Sequence, residues 1–109
     1  MDVSWDSAKN QVNINKRRLP LSLGGLVLDD EMRIERYDEE HSTPEQDRWQ
    51  TIGMAGKVLF MVYTEASPMN NIGVEMPHII SVRLADIEEK RLYHGERDLQ
   101  ETDWYRVNP

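Results

Sequence analysis

Between Arg48 and Glu65 the chain reads R-W-Q-T-I-G-M-A-G-K-V-L-F-M-V-Y-T-E, and no other stretch narrows the possible folds as much. Val58, Phe60 and Val62 recur at period two, with Leu59, Met61 and Tyr63 filling the alternate positions. A strand that is apolar on both sides is one that must be covered on both sides. Gly53-Met54-Ala55-Gly56 comes just before it, and its two glycines tolerate the positive φ of a hairpin loop. The expected partner strand runs from Trp49 to Ile52, with Trp49 and Thr51 on one face and Gln50 and Ile52 on the other. This hairpin is expected at the middle of an antiparallel sheet.

A length of 109 residues is one domain's worth. A chain of this size buries roughly 65% of the surface exposed by its unfolded form, enough for one core. No apolar run reaches the ~18 residues of a membrane span, and no signal-peptide pattern opens the chain. The absence of cysteine excludes disulfides, thiolate metal sites and cysteine nucleophiles, and a cytoplasmic location is expected. The net charge of −7 argues against broad, sequence-blind nucleic-acid binding, which draws its affinity from neutralised phosphates. A local basic pocket around one phosphate is still compatible with it.

Taken in order, Val3-Ser4-Trp5 reads as a short edge strand and Asp6 as a helix N-cap. The helix expected over Ser7 to Arg17 places Ala8 and Val12 on its buried side. Its asparagines are poor helix formers, so it needs tertiary support. Lys16-Arg17-Arg18 closes it with cations at the favourable end of the dipole. A second short helix is expected from Ser22 to Leu28, and a strand from Met32 to Tyr37. Asp38 to Asp47 is a polar loop, and Ala66 to Pro77 a connection long enough to be mobile. His78 to Leu84 is another strand, with Ile80, Val82 and Leu84 on one face and Ile79, Ser81 and Arg83 on the other. Asp86 caps a last helix reaching about Tyr93, with Glu89 completing an imperfect capping box. The expected fold is α+β in two layers: an antiparallel sheet of about four strands, packed by N-terminal helices and a C-terminal helix. Residues 1–94 form the domain, and 95–109 an extension that either frays or docks through Trp104 and Tyr105.

Several of these stretches together resemble one family. Trp5-Asp6, Lys9, Asn13 and Lys16 are similar to the opening W-D-x-x-K-x-x-x-N-x-x-K-H of BrnT-type toxins. Asp29-Asp30 resembles that family's acidic pair, and His41-Ser42, Glu45 and Arg48-x-x-Thr51-Ile52-Gly53 its H-S-x-x-E-x-R-x-x-T-I-G segment. Ile79-Ile80-Ser81-x-Arg83, Ala85, Glu89 and Tyr93 resemble its I-I-S-A-R-x-A-x-x-x-E-x-x-x-Y close. The resemblance implies a RelE-like fold and the toxin role in a bacterial type II toxin–antitoxin pair. It further implies a metal-independent endoribonuclease, without cofactor, that a cognate DNA-binding antitoxin neutralises. The antitoxin would be a basic ribbon-helix-helix protein, and DNA would be met only through it. Arg17-Arg18 stands where the family has His-Gly. That departure and the net acidity favour the alternative, a catalytically inactive module acting through protein contacts.

RNA cleavage of this kind needs a group to take the 2′-hydroxyl proton and cations for the charge developing on phosphorus. Arg48 and Arg83 suit the second task, because guanidinium grips phosphate with two parallel donors. Placed at strand ends, they are expected to converge over the sheet; the plainer reading pairs each with a neighbouring acid. His41 is the candidate acid or base, against the plainer reading of a solvated loop histidine. Lys16, Arg17 and Tyr93 are candidate RNA contacts. The plainer readings there are a capped helix end and a partly buried core tyrosine.

Overall fold

The computed structural model describes residues 1–65 and 76–108. The connection expected between Ala66 and Pro77 therefore lies outside the described residues, apart from Met76 and Pro77. The elements are β1 (Ser4–Trp5), α1 (Ser7–Arg17), α2 (Leu23–Asp29), β2 (Ile34–Tyr37), β3 (Trp49–Ala55), β4 (Lys57–Thr64), β5 (His78–Leu84), α3 (Ile87–Tyr93), a 3-10 turn (Leu99–Glu101) and β6 (Tyr105–Arg106). They build one six-stranded sheet in the order β1-β5-β4-β3-β2-β6. The expectation of about four antiparallel strands is corrected at both borders. β1 joins β5 in parallel, and β6, from the tail, joins β2. β1 falls on the edge strand expected at Val3-Ser4-Trp5, whereas a two-residue strand such as β6 carries no readable alternation, which is why the sequence pattern does not reveal it.

β4 sits in the middle, as its two apolar faces require. Leu59, Met61 and Tyr63 point into a first core with Leu21, Val27, Leu28, Ile79 and Val82. Val58 and Phe60 point into a second core with Ile34, Ile52, Ala85, Leu92, Tyr93 and Trp104. Helix α2 and the segment leading into it therefore cover one face, with α1 set against β5, and α3 with the tail covers the other. The two-layer expectation gives way to three layers, the outcome that β4's composition demanded. The tail is held down firmly. Trp104 is 5% exposed, Val107 N–H donates to the Arg33 carbonyl, and Arg106 donates to the carbonyls of Met32 and Tyr93.

The central hairpin is tighter than the four-residue loop expected. β3 continues through Gly53 to Ala55, and Gly56 alone turns the chain at φ +76°. The positions of Gly24 and Gly25 in α2 have a packing reason. A Cβ on Gly24 would lie 2.6 Å from Ile79 Cδ1, so glycine lets the helix approach β5 closely. The alternation expected along β5 is also corrected. The pairing steps from Val62–Ser81 to Tyr63–Ile79, leaving Ile80 as the extra residue of a bulge. Ile79 and Val82 consequently share the first core although they lie an odd number of residues apart.

Helix α1 faces the sheet with a different side from the one expected. Ala8 and Val12 are exposed, Val12 at 55%, and Asn13 is buried. The Asn13 amide donates to the carbonyls of Val82 (2.9 Å) and Leu19 (2.8 Å), and its oxygen faces Val82 N–H at 3.4 Å. Asn10 Oδ1 accepts from Leu21 N–H at 2.8 Å. An asparagine side chain thus stands in for a strand neighbour along the open edge of β5, and hydrogen bonding outweighs apolar periodicity. The helix ends at Arg18, a non-glycine residue at φ +60° whose N–H bonds the Ile14 carbonyl. At the other end of the chain, Asp86 and Glu89 form the capping box of α3 in full.

Replacing Asn13 by Ala is expected to cost roughly 2–4 kcal/mol in urea unfolding, since it strands buried backbone groups. Val12→Ala should stay within about 0.5 kcal/mol. Arg18→Gly is expected to stabilise by about 0.5–1 kcal/mol, because the left-handed conformation penalises a Cβ.

Candidate functional site

Register lets side chains on one face be read as rows across four strands. On the α3 side, Ile34 opposes Ile52, Ile52 opposes Phe60, and Phe60 opposes Arg83. The next row runs Arg36, Gln50, Val62, Ser81 by the same pairings. The first row is apolar up to Arg83 and lies beneath α3 and the tail. The second is mostly polar and spans about 14 Å at ordinary strand spacing.

At the β2 end of that row a cavity of about 180 Å³ is lined by Arg36, Asp38, Glu39, Glu40, Gln50 and Asp103. The Arg36 guanidinium lies 4.6 Å from the centre of the Trp104 ring, and its Nε donates to Gln50 Oε1 at 2.6 Å. Directly above, Asp38 N–H donates to the Arg48 carbonyl, closing the loop between β2 and β3. Within this loop His41 Nδ1 lies 3.1 Å from both carboxylate oxygens of Asp38. Asp38 is 4% exposed and the His41 side chain 57%, so a buried carboxylate holds an exposed imidazole. A carboxylate partner sets Nδ1 as the protonated nitrogen and leaves Nε2 with its lone pair for an outside partner. Ser42 Oγ accepts from Arg48 N–H at 2.9 Å, so His41 and Arg48 share one hydrogen-bonded loop.

The remaining candidates are placed as follows. Arg48 Nε donates to Gln46 Oε1 at 3.0 Å, and among the described residues Arg48 makes no ion pair. Arg83 grips Glu89 with two parallel bonds of 2.7 and 2.8 Å and stacks 3.9 Å over the Phe60 ring. The Glu89 bonds raise its pKa further still. Arg48 and Arg83 flank β4 on either side, about 16 Å apart between Cα atoms by register, and with Arg48 bonded to Gln46 and Arg83 to Glu89 the expected convergence over the sheet is not seen. Tyr93 lies in the second core and its hydroxyl donates to Asp30 at 2.5 Å. Burial, followed by that bond, pushes its pKa up to about 12, and the ring offers no open face to RNA. Lys16 and Arg17 line a second groove of about 240 Å³ with Lys9, Asn13, Ile80 and Ser81. This groove lies at the β5 end of the polar row. All twenty acids of the chain fall outside residues 7–28, whereas Lys9, Lys16, Arg17 and Arg18 fall inside.

Asp38, Arg36 and Gln50 escaped sequence reasoning, and Trp104 was expected to dock the tail but not to lie against Arg36. Asp38 carried a usable signal, an acid three residues before His41 in a polar loop. Arg36 and Gln50 meet only through the β2–β3 register, which no local pattern specifies.

A family model described as "Ribonuclease toxin, BrnT, of type II toxin-antitoxin system" matches residues 5–89. No curated protein matches the chain. The match includes every residue of the α1 groove, the His41 loop and the polar row, and it stops short of Asp103 and Trp104.

Asp38→Asn is expected to mix the His41 tautomers, because an amide can accept from Nδ1–H or donate to it. Side-chain 15N spectra at pH 8 should show a single Nδ1–H form in the native chain and both forms in the variant.

Proposed function

We propose that this chain, which belongs to the BrnT family of ribonuclease toxins of type II toxin–antitoxin systems, cleaves RNA at the His41 loop without a metal ion. The observation that carries this reading is the pairing of His41 with the buried Asp38, in one loop with Arg48, which makes no ion pair among the described residues. His41 Nε2 takes the proton of a ribose 2′-hydroxyl, whose oxygen then bonds to the adjacent phosphorus. The bond from phosphorus to the 5′-oxygen breaks, and that oxygen leaves with a proton from solvent. The product side keeps a 2′,3′-cyclic phosphate. Arg48 offsets the charge gathering on the non-bridging oxygens, and Asp38 steadies the imidazolium that forms. Lys16 and Arg17, in the longest acid-free stretch of the chain, hold neighbouring phosphates along the path to the β5 edge. Arg83 acts by fastening α3 to the sheet through Glu89.

The same reading takes the fold as RelE-like, the setting as the bacterial cytoplasm, and the neutralising partner as a basic, DNA-binding ribbon-helix-helix antitoxin. An acidic chain steers such a partner by charge, and covering the His41 loop would suffice to silence it. A second reading, a non-cleaving module that binds its partner, is favoured by the engagement of Arg83 with Glu89 and by Arg17-Arg18.

Purified chain is expected to cleave a single-stranded RNA, with His41→Ala slower by about 10²-fold or more. Arg48→Ala should fall by a similar factor, and Tyr93→Phe should change cleavage little. Equal cleavage by native chain and His41→Ala would remove the mechanism. No cleavage by either, with tight binding of a basic partner, would select the second reading.

A further inference from the structure

We propose that the cavity between Arg36 and Asp103 reads one RNA base, and that the base is guanine. This rests on the ribonuclease reading above but concerns recognition rather than the cleavage step. The cavity adjoins the proposed cleavage loop, since Asp38 lines it and also holds His41. Its walls offer one guanidinium, one amide and the carboxylates of Asp103, Glu39 and Glu40, with Asp38 already engaged. That surplus of acids repels a phosphate and accepts an uncharged, donor-bearing ligand. A nucleobase is such a ligand, and here it would arrive attached to the strand being cut.

Among the four bases, guanine presents two neighbouring donors, N1–H and N2–H2, and two neighbouring acceptors, O6 and N7. A carboxylate complements the first pair, and a guanidinium edge complements the second. Arg36 is prepared for this role. Its Nε is committed to Gln50, its plane rests on Trp104, and it makes no ion pair among the described residues. The terminal Nη groups are left to donate. Asp103 is exposed and makes no hydrogen bond through its side chain among the described residues, and it precedes the residue on which Arg36 stacks. Both Asp103 and Trp104 lie beyond the family match, at 5–89, so this chain's own tail supplies half of the reader. The tail is fixed in place for it by β6 pairing with β2 and by a 3.1 Å bond from Trp104 N–H to Thr102 Oγ1.

The test uses the full chain and uncleavable 2′-O-methyl oligonucleotides that differ at one position, followed by fluorescence anisotropy. Guanine should bind at least ~10-fold tighter than adenine, cytosine or uracil, with inosine, which lacks the 2-amino group, in between. Asp103→Asn and Arg36→Gln should each flatten this preference, while Trp104→Phe, which keeps a ring under Arg36, should retain most of it. A flat preference in the native chain overturns the proposal. So does a preference that survives Asp103→Asn but is lost on Glu39→Gln with Glu40→Gln. Cleavage without base preference would leave the ribonuclease reading standing and this one not, and guanine-selective binding without cleavage would do the reverse.

Discussion

The structure depends on β4 being buried from both sides. Each of its large side chains brings roughly 1.5–3 kcal/mol when removed from water, and neither face can be left open without losing several of them at once. Leu59, Met61 and Tyr63 require α2 and the strand that carries Ile79 and Val82. Val58 and Phe60 require α3 and, less obviously, Trp104. The tail is therefore part of the fold's second core. This demand also explains the polar row, because the cover on the α3 side is short. Seven residues of helix and Trp104 from the tail shield the row of Ile34, Ile52 and Phe60, but the row of Arg36, Gln50 and Ser81 lies above the shield.

The central hairpin, the order of the elements and the Asp86 cap could be read in the sequence because each depends on neighbours within a few residues. What could not be read depends on distant partners. Asn13 faces inward because Val82, sixty-nine residues later, offers it two backbone groups, and no count of apolar spacing contains that information. The bulge at Ile80 arises from a shift against β4, and β6 is a strand only because β2 has a free edge. The candidate site divides in the same way. His41 stood out as an imidazole and Arg48 by its type, yet Asp38, the partner that orients His41, was read only as the start of a polar loop. Arg83 met its acid on α3, six residues ahead and within local reach, so the plainer reading of that arginine was the one realised.

Charge is distributed as unevenly as polarity. Residues 7–28 contain no acid, and the cations of α1 gather on the groove beside Ser81. The acids of the β2–β3 loop and of the tail sit at the opposite end of the polar row. A polyanion is thus attracted at one end of the row and meets acceptors for base donors at the other, which orients a strand before any specific contact forms. Arg18 fits this picture. It holds a strained backbone conformation where glycine would be comfortable, and adds a fourth cation to the acid-free stretch from residue 7 to 28.

The borders of the sheet impose a limit of their own. β1 and β6 contribute two residues each, and the longer open margin of β5 is occupied by a side-chain amide that takes both backbone groups of Val82. Such margins give an incoming polypeptide almost nothing to zip onto, so ladder growth into fibres or swapped dimers is discouraged. A protein that subdues this one must accordingly grasp it by its side chains, and its fidelity will be written in charge and shape rather than in shared main-chain hydrogen bonds.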